Sequence, residues 1–156
     1  MIDLFYYNWQ VRDDWFQWCE NISHEELTFM RNGGMGSFLK TLFHVIDCEQ
    51  LWIHQMQGTS VLKKEFNSFS TLEEVSEFSQ STRMITKNFL MNWNKEQEDK
   101  LLYITRKDGS VLSFPYGKVI RHLISHEIHH IGQLSIWSRE LGLKPVNSDL
   151  IIREYI

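Results

Sequence analysis

Proline and cysteine are scarce: the 156-residue chain has two of each. So little proline argues against a collagen-like or Pro-rich disordered chain, and so little cysteine against a small fold stapled by disulfides. Long apolar runs are missing as well, because no stretch reaches the roughly 18 consecutive apolar residues that a membrane-spanning helix needs. Nor is there a surplus of positive charge. Sixteen Lys and Arg stand against twenty Asp and Glu, a formal net charge of -4. Without a basic tail or a Lys/Arg run, a nucleic-acid partner is not expected. The opening Met1-Ile2-Asp3-Leu4-Phe5 carries an acid and no basic residue ahead of an apolar run, so it does not read as an export signal. Cys19 and Cys48 are accordingly expected to be reduced thiols in a cytoplasmic protein with no membrane partner.

What the chain does have is apolar material and histidine. Hydrophobic residues make up 42%, with six Trp and ten Phe among them. That suffices for one globular domain, residues 1–156, which at this size buries roughly two thirds of the surface its unfolded chain would expose. Seven histidines are present, and His122, His126, His129 and His130 crowd into one short stretch.

Helical periodicity organises most of the sequence. From Leu4 to Asn21 the residues Phe5, Trp9, Val11, Trp15, Phe16 and Cys19 recur at three- and four-residue spacings. Ser23 followed by Glu26 predicts a short capped turn, and Asn32-Gly33-Gly34 breaks the chain. A second long helix is expected from after Ser37 to Gln57 with Gly58 as its stop, and a third from the capping pair Thr71 and Glu74 to about Trp93. Between Lys100 and Pro115, two short apolar runs flank Lys107-Asp108-Gly109-Ser110, the signature of a β-hairpin. The fourth long helix then runs from Pro115 to about Leu141, ahead of Gly142 and Pro145. Four such helices predict an all-α four-helix bundle with a short hairpin before the last helix. Trp15, Trp18, Met84 and Met91 read as core residues, and the tail from Val146 to Ile156 as a segment that packs down.

The histidines carry the chemistry. On the last helix, a wheel of about 100° per residue gathers Val119, Leu123, Leu134, Trp137 and Leu141 in one sector. His126 and His130 fall beside or inside it, one turn apart, while His122 and His129 lie towards its edge. Two inward imidazoles without partners would each carry a desolvation cost of roughly 1–3 kcal/mol, which either hydrogen bonds within the bundle or a shared metal ion would relieve. A metal site would need a third ligand from a facing helix. The second helix offers His44, Cys48 and Glu49, the last of these on its apolar face, and periodicity does not choose among the three.

Taken together, His44, Glu49 and Trp52, with His126, His130, Gly132 and Gln133 further on, resemble the DinB-like family. The resemblance extends to Tyr7-Asn8-Trp9 and to Gly36-Ser37 before the second helix, and covers nearly the whole chain. It departs where Ile131 replaces the usual Arg before the Gly-Gln pair. It implies a four-helix bundle in which three histidines hold a divalent metal, at the positions of His44, His126 and His130. It also implies a homodimer. His24, His54, His122 and His129 are then bystanders.

Three imidazoles on one ion leave coordination positions open for water or substrate. The resemblance implies thiol-dependent S-transferases, using low-molecular-weight thiols such as bacillithiol or mycothiol, or related hydrolases acting on small molecules. Glu49 would orient a ligand imidazole, or else pair with a nearby base. The ion's identity among Zn, Ni and Fe is not set by the donor type, and no catalytic residue is assigned. A second reading is a non-catalytic metal-binding bundle with a stress-related or sensing role. A third starts from His126-Glu127-x-x-His130, the HExxH string of zinc peptidases, in which Glu127 would be the general base.

Overall fold

The computed structural model describes residues 2–67 and 70–154. Helix α1 spans Ile2–Cys19, α2 His24–Thr28, α3 Phe38–Gln57, α4 Leu72–Met91, α5 Lys95–Asp99 and α6 Tyr116–Glu140. Strands β1 (Leu101–Thr105) and β2 (Val111–Pro115) form the expected hairpin ahead of α6, antiparallel with Leu101 opposite Pro115 and Thr105 opposite Val111. The long helices α1, α3, α4 and α6 make the bundle. Helix α3 packs against α4 and α6, and α1 packs against the same two, so α1 and α3 face each other across the diagonal.

The helix boundaries follow local chemistry. Ser37 accepts from Lys40 N at the start of α3, and Gly58 ends it with φ +70°, a left-handed conformation that a side chain would strain. Thr71 and Glu74 close a reciprocal capping box at the start of α4. Helix α5 lacks the length for a periodic signal, and its cue is Asn94, whose side chain accepts from Gln97 N.

The core consists of two apolar clusters stacked along the bundle. One gathers Trp15, Phe38, Leu42, Ile46, Leu134 and Trp137; the other gathers Phe5, Trp9, Ile53, Ile120 and Leu123. Between them lies a polar level to which each of three helices contributes. Arg12 sits between Trp9 and Trp15 on α1, Glu49 between Ile46 and Ile53 on α3, and Glu127 between Ile124 and Ile131 on α6, all buried. Both the sealed and the open polar clusters described below are drawn from this middle stretch.

Two expectations about packing need correction. Trp15 is fully buried and Trp18 packs against the core, but Met84 and Met91 are 57% and 68% exposed, because they fall on the solvent side of α4. The tail does dock, though through polar groups. Tyr7 Oη donates to Ser148 O at 2.7 Å, Trp18 Nε1 donates to Lys144 O at 3.0 Å, and Arg153 pairs with Asp14 at 2.5 Å. Val146 packs on the core, whereas Leu150, Ile151 and Ile152 point outward. Residues 155 and 156 of that tail lie outside the described residues.

Candidate metal centre

Helices α3 and α6 bring His44, His126 and His130 together. The two histidines of α6 are one turn apart on the flank that faces α3, and His44 projects from α3 towards them. His44 Nε2 and His126 Nε2 are 3.1 Å apart. The three ring centroids lie 4.5–4.9 Å from one another, and one nitrogen from each ring falls within a 4.8 Å span. All three rings are half-buried, so the cluster sits at the edge of the bundle with one side towards solvent.

These residues fit a divalent ion. Nitrogens bound tetrahedrally at about 2.0–2.1 Å would stand about 3.3 Å apart, close to the observed His44–His126 separation. Protonation is suppressed where it would block a ligand. Burial, reinforced by the neighbouring imidazoles of His130 and His44, pushes the His126 pKa down to about 4. Burial and then His130 lower that of His44 as well. Neutral imidazoles with free lone pairs are the form that binds a metal.

Gln133 sets the orientation of the third ring. His130 Nδ1–H donates to Gln133 Oε1 at 3.0 Å, which fixes the tautomer and leaves Nε2 as the ligating atom. Gly34 makes room for this amide: it has φ +51°, and a Cβ there would collide with Gln133 Oε1. The sequence shows Gln133 three residues after His130, a spacing that places the two side chains together on a helix, but nothing there assigns it this role.

Glu49 does not approach the imidazoles. Its Oε2 accepts from Arg12 Nη2 at 2.7 Å and from Trp9 Nε1 at 3.2 Å. Glu127 is held by the same guanidinium, through Arg12 Nε at 2.7 Å and Nη2 at 2.6 Å. Arg12 Nη1 also donates to Ser79 Oγ of α4 at 3.2 Å. Of the two roles considered for Glu49, pairing with a base is therefore the one observed. The HExxH reading loses its base as well, since Glu127 turns into the core while its neighbour His126 turns to the site. Burial alone would lower the pKa of Arg12, but the attraction of Glu127 and Glu49 outweighs it and the guanidinium is raised. For Glu127, burial raises the carboxyl and Arg12 opposes it. Cys48 is half-buried, its thiol pushed up to about 11 chiefly by desolvation, and it is not in the histidine group.

The other histidines stand outside the cluster. His122 and His129 are exposed, with rings 5.5 Å from His126 and 5.2 Å from His130. His54 is buried and its Nδ1 lies 2.7 Å from Thr59 Oγ1.

A helical bundle carrying an open three-histidine cluster at the edge between two helices is the class that fold and site define. The chain belongs to the DinB family, whose sequence profile matches residues 1–156. It is also similar to the uncharacterized protein YizA of Bacillus subtilis (strain 168), with 40% identity over 153 residues, covering 98% of this chain and 95% of YizA. Family and cluster are both compatible with metal binding. Among the described residues, no helix is long and apolar enough to cross a membrane.

Proposed function

We propose that His44, His126 and His130 hold one divalent metal ion and that the protein is a metal-dependent enzyme joining a low-molecular-weight thiol to a small electrophile. The observation that carries the reading is the half-buried, one-sided placement of three imidazole donors. A closed structural site would have a fourth protein ligand, and no Cys, Asp or Glu joins these three among the described residues. When bound, the ion supplies Lewis-acid activation of the thiol as its thiolate. The same site would activate water in a related hydrolase.

The chain's own residues hold and orient. Gln133 keeps the His130 Nδ1–H pointed away from the site. In the transfer, the thiol S–H proton leaves to solvent, a sulfur–carbon bond forms on the electrophile, and the bond to its leaving group breaks. No oxidant or reductant is needed.

The test is consumption of low-molecular-weight thiols, bacillithiol and mycothiol included, by monochlorobimane with protein loaded with zinc, nickel or iron in turn. Metal-dependent conjugation that His44→Ala abolishes is expected. Metal binding with no conjugation for any thiol would overturn the transferase and leave a metal-dependent hydrolase or a non-catalytic metal protein.

A further inference from the structure

A second feature adjoins the histidine cluster. Trp52 of α3, Phe114 of β2, and Lys118, Val119 and His122 of α6 line a cavity of about 210 Å³. Trp52 and Phe114 meet edge to face with ring centroids 6.4 Å apart, and His122 stands edge-on to Trp52 at 6.2 Å. The His122 ring is in turn 5.5 Å from that of His126. One exposed imidazole is thus the wall that cavity and metal cluster share.

The lining identifies the ligand chemistry. Two aromatic faces and the buried Val119 offer nothing to a polar body. An apolar cavity of about 150 Å³ suffices for benzene, so this one takes a single ring or a branched chain of similar bulk, smaller than the roughly 300–1,000 Å³ pockets that enclose drug-sized molecules. The one full charge in the lining is Lys118, whose Nζ lies 6.0 Å from the Phe114 ring centre. No carboxylate of the described residues pairs with it. A lone ammonium at the edge of an apolar cavity favours a ligand that brings its own negative charge.

We infer that this cavity is the substrate-binding pocket of the metal site, taking a small organic anion with a ring-sized apolar body seated against Trp52 and Phe114 and its carboxylate at Lys118. This rests on the reading of the histidine cluster as the reacting centre. A molecule so placed reaches the cluster by passing the His122 ring. The pocket also gives Trp52 a role beyond packing.

Calorimetric titration of 3-phenylpropionate into the protein tests this, on both EDTA-stripped and zinc-loaded samples. Saturable binding is expected in each, weakened about tenfold in Lys118→Met, as removal of one charge-assisted contact predicts. The neutral 3-phenylpropionamide should bind wild type about as weakly as the acid binds Lys118→Met, and acetate should bind neither. Lys118 is exposed, so its replacement leaves the fold intact. In protein labelled with 5-fluorotryptophan, the 19F signal of Trp52, assigned from Trp52→Phe, should move on titration. Absence of saturable binding, an affinity unchanged in Lys118→Met, or a stationary Trp52 signal would overturn the pocket. The zinc titration of the same samples is read separately. Lys118-dependent binding to a protein that takes up no zinc would overturn the metal reading and retain the pocket as an anion site, while zinc uptake without phenylpropionate binding would do the reverse.

Discussion

Two polar clusters use neighbouring positions of the same helices and have opposite character. His126 and Glu127 are consecutive, yet the imidazole joins His44 and His130 at the bundle's edge while the carboxylate joins Arg12 and Glu49 in its interior. The histidine cluster is half-buried and open to solvent on one side. The arginine cluster is charged, sealed from water and held by four hydrogen bonds between the guanidinium and its two acids and Ser79, with one more from Trp9 to Glu49. Oε1 of Glu49 is its only oxygen without a partner among the described residues. A site that must exchange ligands stays unsaturated and reaches solvent; one that must hold three helices in register is closed. A rotation of about 100° between consecutive helix residues separates the two tasks.

The largest effect that would break this contrast lies in the sealed cluster. Arg12→Met leaves two buried carboxylates without a counter-charge, and loss of one partner of a buried ion pair costs about 3–5 kcal/mol. Urea denaturation should show that loss. Replacing the acids too, as Arg12→Met with Glu49→Leu and Glu127→Leu, should recover most of it, since an apolar substitute removes the desolvation penalty. A triple variant as unstable as Arg12→Met alone would mean that the ion pairs themselves stabilise the bundle.

The open cluster should respond in the reverse sense. His44→Ala removes one of the three proposed ligands and should weaken zinc binding by more than the roughly 10–100-fold that loss of an outer-shell partner costs, with the metal-free melting temperature nearly unchanged. Gln133→Ala should cost about 10–100-fold in zinc affinity by releasing the His130 tautomer. Gly34→Ala should act in the same direction by displacing the Gln133 amide. Both are measured by competition with a chromophoric chelator, and an unchanged affinity would remove Gln133 from the site.

The smallest effect is a pH dependence that belongs to neither cluster. Burial pushes the Cys19 thiol from 9.0 up to about 12. Between those values the unfolded chain binds fewer protons than the folded one, so stability falls as pH rises through that window. Cys19→Ala should flatten the fall in melting temperature above pH 9, and in native wild type Cys19 should resist a thiol reagent until the protein is unfolded. A melting temperature that falls equally in both proteins would assign the effect to other groups.

The sequence announces the open cluster better than the sealed one, for physical reasons. His126 and His130 share a helix, so the wheel that marks its apolar sector singles them out from His122 and His129, which spacing alone does not. His44 needed the family resemblance, because periodicity left Cys48 and Glu49 equally placed. Arg12 could not be read at all: in an amphipathic segment a lone arginine is expected in water. Its burial depends on acids 37 and 115 residues further along the chain. Caps and the Gly58 stop are local, which is why the sequence places the long helices within a few residues. Met84, Met91 and the outward-pointing Leu150, Ile151 and Ile152 escape it because hydrophobicity does not say which side of an element faces a neighbour.

The most direct test of the division between the clusters is zinc content per chain after loading and desalting, in wild type, His44→Ala and Glu49→Gln. One zinc per chain in wild type and Glu49→Gln, with none retained in His44→Ala, is the expected result. Full occupancy in His44→Ala, or loss of zinc from a folded Glu49→Gln, would contradict it.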